Sequence, residues 1–485
     1  MSSFFCRNFT PKNLLPLLLG SVSGILLFIT DFPVHAWWLQ IAAFLPWLWS
    51  LADRRPGWVV GALSGAALGL FYTGPLAFLL EFHFLMAAGL VLYLTFFWAV
   101  TGAAAGWFFC NTEKIPGKAV GAAIATACAG VLVEWLNVSL IPVWGTAQVF
   151  TRVWSVFPYA VQITSVTGVL GLVWFVFAVQ ALVVTLLLSG IRRKPGVIAL
   201  VVIIVGFAGG NALLLPRKTL GEINVAAAGW TCKDLPDGRD THWRTTWDEI
   251  CKPLIDEAVA QGARLVVTPE VGFRIWEEDV VEDFLAVIKS EARKQQIFLV
   301  VGWFDHGGDK NRMVFIDDQG VVRGEYLKTH LIMGLENYTA GDGTLFVTDI
   351  EGFRLGGMIC QDDNFTDLSR GYGRKKTHIV GVPTYDWEQV ADYHFENSVF
   401  RGVESRYAIV RAALNGHSAI INARGEVLSR VNHFKQGPAV VTAVTKIYPP
   451  GSFYSRFGNW IAIPSLLWLL GVVVFRFRPQ SSQGG

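Results

Sequence analysis

The segment "RLGGMICQDDNF", residues 354–365, joins an apolar run to a cysteine and two carboxylates. Its alternating and apolar residues predict a β-strand that ends at Cys360. A cysteine in a protein core usually behaves as a small hydrophobic residue and has no need of neighbouring acids. Because Asp362 and Asp363 follow so closely, we treat Cys360 as a candidate nucleophile.

The surrounding sequence, residues 220–447, predicts a layered α/β domain. Apolar runs typical of strands occur at 223–230, 264–270, 297–303, 312–318, 353–360, 378–383, 408–414 and 417–422. Helical patterns cover 243–261, 276–296 and 388–407. Several of the strands are nearly all apolar, so we expect them to be buried on both faces. In such domains the chemistry collects where strands end.

Two more reactive side chains follow predicted strands. "VVTPE" places Glu270 at the end of an apolar strand, and "GEYLK" places Lys328 after a short one. Each alone is more often structural than catalytic, but the set fits one reaction. Glu270 could take the proton of the Cys360 thiol, and a carboxylate in an apolar pocket has a raised pKa that suits proton transfer in both directions. Lys328 could stabilise an oxyanion, so the residues predict acyl transfer through a cysteine thioester.

The composition points to a membrane protein. Of 485 residues, 52% are hydrophobic and only 16% charged, whereas soluble domains have about 25% charged residues. The net charge of +2 gives no reason to expect a nucleic-acid partner. The six cysteines are too few and too scattered for a disulfide framework, and Cys232 and Cys251 could be either bonded or free. Without C-x-x-C or H-E-x-x-H, neither a metal site nor a cofactor is expected.

A helix needs about 20 apolar residues to cross the membrane. That criterion predicts eight spans, at 13–30, 34–52, 57–80, 84–109, 117–140, 160–189, 196–215 and 457–475. Basic residues mark every other loop, at 7–12, 54–55, 114–118, 192–194 and 476–478, and Arg152 is the single basic residue of the intervening short loops. The positive-inside rule therefore places both termini in the cytoplasm. The predicted domains are a membrane bundle (1–218), an extracytoplasmic catalytic domain (219–449) and a final span with a short tail (450–485).

Three further residues are candidate substrate contacts. Residues 134–160 are too broken by proline and glycine to span, and we expect them at the outer interface. Glu134 at their start is either an interfacial carboxylate or a contact to a lipid head group or substrate. Tyr385 and Trp387 follow a strand near the reactive residues, and they either line the pocket mouth or dock the domain on the membrane.

The segments "TPE", "LKTHL" and "MICQD" resemble the three motif regions of the nitrilase (carbon–nitrogen hydrolase) superfamily. That family uses a Glu–Lys–Cys triad, in this chain order, on an α-β-β-α sandwich. The resemblance covers most of 222–445 and implies Glu270 as base, Lys328 as oxyanion stabiliser and Cys360 as nucleophile. Glu336 lies where the family has a second, supporting Glu, and Asp362 keeps a carboxylate that the family has after its Cys.

With seven spans before this domain and one after it, the chain resembles the apolipoprotein N-acyltransferase family of bacterial inner membranes. "EWLN" (134–137), "ITSVTGVLGLVWFV" (163–176) and "YSRFGNW" (454–460) look like that family's membrane segments. The resemblance implies a ping-pong reaction. Cys360 would take an acyl chain from a phospholipid and pass it to the N-terminal amine of a lipoprotein.

Two other functions stay open. The acyltransferases carry a long insert between the supporting Glu and the Cys, but here only the 23 residues 337–359 separate them. That favours a membrane-tethered amidase-type hydrolase or a different acyl acceptor, whereas eight spans favour transfer. A transporter or scaffold would use Glu81, His83 and Glu134. The spans show no inverted repeat, and an inert domain would not need a complete triad.

Overall fold

The N-terminal part of the chain is an apolar helical bundle. The structure, a computed structural model, describes residues 11–31, 35–79, 84–111, 116–140, 144–188, 194–238, 241–277 and 280–477. The longer helices before the first strand are α1 (Pro11–Asp31), α2 (Leu45–Arg54), α3 (Trp58–Leu79), α4 (Phe84–Cys110), α5 (Pro116–Trp135), α6 (Val169–Leu188) and α7 (Lys194–Leu214). Within the described ranges, six helices are long and apolar enough to cross a membrane: α1 and α3 to α7.

The prediction of a spanning helix at 34–52 is wrong. The described part of this segment holds a 3₁₀ turn, Trp37–Ile41, and then α2. With ten residues, α2 is about 15 Å long, half the thickness of the hydrocarbon layer. Pro46 lies in its first turn, where proline favours the start of a helix, and the 3₁₀ turn before it does not continue the α-helix.

The 35–54 segment still carries the chain back through the bundle. Helices α1 and α3 run parallel, since Gly20 lies against Ser64 and the Tyr72 hydroxyl donates to Asp31 at the end of α1. Between them, the Trp47 N–H donates to Ser23 Oγ. The chain therefore returns beside α1 as a broken segment.

Helices α3 and α4 pack through glycine. A Cβ on Gly65 would lie 2.2 Å from the Trp98 carbonyl oxygen, and one on Gly102 would lie 2.2 Å from that of Gly61. Only glycine allows two backbones to approach so closely, an arrangement common between membrane helices. This contact fixes two helices that also form a wall of the candidate site.

The domain at residues 219–449, which the sequence predicts to be catalytic, contains two mixed sheets. Its strands are β1 (Gly221–Gly229), β2 (Leu265–Val267), β3 (Phe273–Ile275), β4 (Phe298–Asp305), β5 (Lys310–Ile316), β6 (Val322–Leu327), β7 (Val347–Ile350), β8 (Phe353–Gly357), β9 (Ile379–Tyr385), β10 (Ala408–Leu414), β11 (His417–Ile421), β12 (Val427–Asn432) and β13 (Ala439–Ile447). The first sheet has the order β13-β1-β2-β4-β5-β6, with β3 beside β4, and the second has the order β12-β11-β10-β9-β8-β7. Parallel pairs lie at the centre of each, at β1-β2-β4 and β8-β9-β10.

The two sheets face each other across one core. Val267 and Val300 of the first sheet share a buried cluster with Ile379 and Val410 of the second. Helices α8 (Lys252–Ala260) and α9 (Val280–Gln295) cover the outer face of the first sheet. Helices α10 (Thr366–Arg374) and α11 (Ala391–Ser405) pack outside the second. The predicted α/β layering is therefore present, with helices outside both sheets.

The structure also tests the predicted strand boundaries, the state of two cysteines and the ends of two predicted spans. All eight predicted strands occur, with ends shifted by up to three residues, whereas β3, β7, β12 and β13 were not predicted. Cys232 and Cys251 are free thiols. The sixth predicted span begins only at Val169, and the last corresponds to α12 (Ala462–Phe477). The described part of α12 is about 24 Å long, shorter than the six candidate spans.

Candidate active site

The loops after three strands bring the predicted triad together. Glu270 follows β2, Lys328 follows β6 directly, and Cys360 follows β8. Lys328 Nζ lies 2.8 Å from Glu270 Oε1 and 2.7 Å from Glu336 Oε1. Glu270, Lys328 and Cys360 are at most 2% exposed, whereas the Glu336 side chain is 18% exposed. The predicted triad is therefore buried, and Glu336 lies at its edge.

Cys360 lies at a sharp turn of the backbone. Its φ of +47° is unusual for a residue other than glycine, and it starts the single-turn helix Cys360–Asn364. The thiol donates to the Tyr385 carbonyl oxygen at 3.6 Å, and it interacts electrostatically with the Glu270 carboxylate. Backbone conformations of this kind cost free energy and cluster at functional sites.

The electrostatics keep the resting thiol protonated and leave Glu270 able to accept the proton. Burial raises the pKa of Cys360 well above its usual value, and the Glu270 charge adds to this while Lys328 opposes it. Burial also raises the pKa of Glu270, with Lys328 opposing and the Glu336 charge adding. Burial alone would lower the pKa of Lys328, but the charges of Glu270 and Glu336 raise it well above the usual value. The ammonium therefore stays charged.

Asn311 and Tyr338 belong to the same cluster and were not predicted. Asn311 Nδ2 lies 2.8 Å from Glu270 Oε1 and 3.0 Å from the Tyr338 hydroxyl. Glu270 Oε1 thus accepts from both Asn311 and Lys328, which fixes the carboxylate beside the thiol. Asn311 lies within β5 and Tyr338 in the loop after Glu336, so neither belongs to a motif that the sequence made visible.

Asp362, predicted as a supporting residue, joins two loops. Its buried carboxylate accepts from the N–H of His330 at 2.7 Å, the N–H of Thr329 at 3.2 Å and the Tyr326 hydroxyl at 2.8 Å. It also accepts from the Ile359 N–H at 3.2 Å. Asp362 therefore ties the loop that carries the lysine to the loop that carries the thiol.

A second set of residues missed by the sequence supports the nucleophile's backbone. His394 Nε2 lies 3.0 Å from the Cys360 carbonyl oxygen, and its Nδ1 lies 2.7 Å from Asp386 Oδ1. The other carboxylate oxygen of Asp386 accepts from Arg411 at 2.7 Å. The only signal in the sequence was the position of Asp386 and His394 around the start of a helix that follows a buried strand.

The side chains of Cys360, Asp386 and His394 are also close enough to be considered as a metal site. Their ligand atoms lie within 4.8 Å of one another. However, both ring nitrogens of His394 face acceptors and Asp386 already binds Arg411. These polar atoms already form hydrogen bonds within the protein, so the three side chains do not fit a metal site.

The cavity at Cys360 lies between the catalytic domain and the bundle. Tyr385 and Trp387 line it, together with His394. Its other wall consists of Tyr72, Thr73 and Leu76 on α3 and Leu90 and Leu94 on α4. An apolar group reaching the thiol would therefore pass along membrane helices.

Glu134 does not line this cavity. It accepts a hydrogen bond from Asn137 Nδ2 at 3.1 Å in a smaller neighbouring pocket that shares Tyr72, Leu94 and Gln148 with the first. Its contact with substrate stays a prediction. Glu81 and His83 lie outside the described residues.

Comparison with known proteins agrees with the motifs. Residues 247–447 match the family model for carbon-nitrogen hydrolases. Curated relatives named apolipoprotein N-acyltransferase include one from Geobacter metallireducens, 25% identical over 362 residues (66% of this chain, 68% of the relative). Another, from Methylococcus capsulatus, is 24% identical over 443 residues (82% of each chain). A third, from Brucella suis, is 24% identical over 485 residues (90% of this chain, 84% of the relative).

Among solved structures, the chain is similar to an amidase from Nesterenkonia sp.. The two are 20% identical, with a TM-score of 0.41, over 51% of this chain and 100% of the amidase. The family model and the named relatives confirm the resemblance inferred from the three motifs.

Proposed function

We propose that this chain, a membrane member of the carbon–nitrogen hydrolase superfamily, is an N-acyltransferase of the lipoprotein-maturation type. It would take an acyl chain from a phospholipid and transfer it to the N-terminal amine of a lipoprotein. The observation that carries this proposal is the wall of the Cys360 cavity, which α3 and α4 form. A soluble substrate would need no such wall, whereas an acyl chain leaves the bilayer along apolar helices.

In the first half-reaction, Glu270 takes the thiol proton as Cys360 Sγ attacks the ester carbonyl carbon of the phospholipid. A carbon–sulfur bond forms, and Lys328 stabilises the oxyanion. When this intermediate collapses, the ester carbon–oxygen bond breaks and Glu270 returns its proton to the departing alcohol. The product is a lysophospholipid, and the acyl chain stays on Cys360 as a thioester.

In the second half-reaction, the amine attacks the thioester. Glu270 takes a proton from the amine as the carbon–nitrogen bond forms, and it gives this proton to the sulfur as the carbon–sulfur bond breaks. Cys360 is only 2% exposed, which limits the access of water to the thioester. Burial therefore favours transfer over hydrolysis.

Supporting residues hold these groups in place. Glu336 fixes the Lys328 ammonium, and Asp362 fixes the loops on either side. Tyr385 and Trp387 would contact the acyl chain, and Glu134 a more distant part of the substrate.

The proposed location is a bacterial cytoplasmic (inner) membrane, with residues 219–449 outside and both termini in the cytoplasm. Asp31 at the end of α1 pairs with Arg152, which also pairs with Glu396 of the catalytic domain. Since α2 runs back from this level, Arg54 and Arg55 at its end lie far from the domain. Basic residues on that side support a cytoplasmic position there.

An amidase-type hydrolase is the second candidate function. The short segment 337–359 favours it, because between Glu336 and Cys360 the structure has only a loop and the β7–β8 hairpin. The chemistry would be the same up to the thioester, and water would then resolve it.

The test is acyl transfer by the purified full-length chain in detergent. Wild type is mixed with phospholipid carrying a labelled acyl chain and with a diacylglyceryl-cysteine peptide. We expect labelled N-acyl peptide from wild type and none from Cys360→Ala. Release of ammonia from simple amides, without any transfer from phospholipid, would contradict this proposal and support the hydrolase.

A further inference from the structure

A second cavity lies away from the candidate active site. It lies between α5, α12 and the start of α10 and has a volume of about 550 Å³. None of the residues that line it also lines the Cys360 cavity. It therefore needs an explanation of its own.

One side of this groove is apolar and belongs to membrane helices. Leu132 and Trp135 of α5 face Ile463 and Leu466 of α12 across it. Ile463 is 63% exposed and Leu466 48% exposed, so both can contact an apolar molecule. Trp135 and Trp460 border the same groove, as aromatic residues do at the membrane–water interface.

The other end of the groove carries Arg370. Its Nε donates to the Tyr454 carbonyl oxygen at 3.3 Å, and its guanidinium packs against Gly458, where a Cβ would come within 2.4 Å of Cζ. Of the described residues, no carboxylate lies within ion-pairing distance of this guanidinium. Arg370 thus presents to the groove a positive charge without an ion-pair partner among the described residues, since Glu404, with which it interacts electrostatically, pairs with Arg401.

His330 lies at the same end. Its Nδ1 lies 3.0 Å from Asp362 and its Nε2 3.4 Å from Asp367. Burial lowers its pKa, but the hydrogen bonds and charges of these two carboxylates raise it to about 9. The imidazole is therefore positively charged at neutral pH. Asp367 also borders the groove but is engaged by His330, so Arg370 remains the cation available to a ligand.

We propose that this groove binds one phospholipid that is not the acyl donor, with its phosphate at Arg370 and an acyl chain between α5 and α12. The planar guanidinium matches the phosphate oxygens, and the apolar wall matches a hydrocarbon chain. Free phosphate would satisfy only the first feature and diacylglycerol only the second. The charge and the apolar wall together select a phospholipid.

Such a lipid would affect the active site without entering it. His330 binds Asp362 through both its backbone N–H and its ring, and Asp362 joins the loops that carry Lys328 and Cys360. His330 also lines the groove, so a lipid packed against it would hold that connection in place. The bound lipid is thus a positioning ligand for the site.

The test counts bound lipids by native mass spectrometry of the full-length Cys360→Ala chain. In this background no acyl transfer takes place, so the result does not depend on the proposed function. After removal of endogenous lipid, phosphatidylglycerol is titrated back into the detergent solution. We expect Arg370→Gln to weaken binding of one lipid at least tenfold. Arg374→Gln is the matched control, one turn further along α10 and outside the groove, and should leave binding unchanged.

Four further arms separate the possible ligands. Arg370→Lys should keep part of the affinity, and Leu132→Trp should displace the same lipid by filling the apolar side. Diacylglycerol should bind equally to the parent chain and to Arg370→Gln, and inorganic phosphate should not compete. Equal phosphatidylglycerol binding by the Gln variants at 370 and 374 would overturn the proposal, with thermal midpoints confirming that both are folded. Full competition by inorganic phosphate would also overturn it, in favour of a small anion.

Discussion

Two buried clusters in this molecule have the same composition, a single cation between two carboxylates. In the catalytic domain Lys328 lies between Glu270 and Glu336. At the junction with the bundle, Arg152 lies between Asp31 and Glu396. The side chains of Lys328 and Arg152 are each 1% exposed. Their surroundings distinguish a candidate catalytic centre from a structural one.

In the described part of the chain, Arg152 contacts protein groups of the bundle and the catalytic domain, two of which, Ala147 and Tyr393, also line the Cys360 cavity. Its Nε donates to Glu396 at 2.7 Å and its Nη1 to the Ala147 carbonyl oxygen at 2.7 Å. The guanidinium also lies 3.5 Å from the centre of the Tyr393 ring. A planar group with several directed donors suits such a junction. The cluster joins the end of α1 to α11, and so fixes the bundle against the catalytic domain.

Lys328 instead belongs to a cluster that includes a nucleophile at a cavity. Its compact ammonium interacts with the Cys360 thiol as well as with two carboxylates, and the thiol lines the cavity. The comparison teaches that buried charges alone do not identify an active site. A reactive atom and space for a substrate have to accompany them.

The largest effect is expected from Arg152→Met, which leaves two buried carboxylates without their cation. Breaking a buried ion pair in this way costs about 3–5 kcal/mol. Unfolding of the purified protein in detergent would measure the loss. Arg244→Met is the control, since its pair with Asp248 is half exposed and should cost about 0–1 kcal/mol. Equal losses in the two variants would show that the Arg152 cluster does not hold the domains together.

Lys328→Arg should disrupt the catalytic cluster of Glu270, Lys328 and Glu336 by changing its geometry. The charge is kept, but the larger planar group cannot take the place of the ammonium in a buried site, so the oxyanion loses its partner. We expect acyl transfer to fall by about 10²–10³-fold, with the unfolding transition retained. Lys446→Arg on the exposed edge of β13 is the control. Wild-type activity in Lys328→Arg would mean that the ammonium does not touch the reacting atoms.

A smaller effect is expected from Arg152→Lys, which keeps the charge and loses the fork of donors. Loss of one hydrogen bond to a charged group costs about 1.5–3 kcal/mol. Activity per folded molecule should stay near that of wild type, because this cluster does not contact the thiol. A large fall in the activity of the folded fraction would give Arg152 a part in catalysis and remove the distinction between the clusters.

The smallest effect is a change in pH dependence in Glu336→Gln. Burial raises the pKa of Glu270, and the negative charge of Glu336 raises it further. The base form of Glu270 is required, so activity is lost as pH falls through its pKa. Removing the Glu336 charge lowers that pKa, and the acid limb of kcat/KM should move to lower pH. Glu325→Gln, at an exposed pair with Arg312, should leave the limb unmoved. A shift to higher pH in Glu336→Gln would contradict this electrostatic account.

The sequence predicted the Lys328 cluster because its members lie in short motifs at strand ends. Glu270 and Cys360 each follow an apolar run, Lys328 follows a short strand, and the resemblance to the nitrilase superfamily supplied Glu336. The Arg152 cluster joins residues 31, 152 and 396, and no local pattern links them. Arg152 was interpreted as a solitary basic loop residue, whereas the structure buries it.

The other differences between the predicted and the observed structure also arise where the sequence has no clear local pattern. A hydropathy profile averages over about 20 residues, so it does not show that Pro46 and the turn before it divide the apolar run 34–52. The edge strand β7 has only four residues, and the edge strand β12, "VLSRVN", does not alternate between apolar and polar residues. The roles of Asn311 and His394 depend on contacts between distant segments, which a single sequence does not record.

The central claim is that the Cys360 sulfur carries the acyl chain, and intact-mass analysis tests it most directly. The full-length protein is mixed with a phospholipid of defined chain length and no amine acceptor, and the modified residue is then mapped. We predict one acyl group on Cys360, removed by neutral hydroxylamine and absent from Glu270→Gln. Transfer of acyl chains to an added lipopeptide while Cys360 stays unmodified, or by Cys360→Ala, would contradict the account.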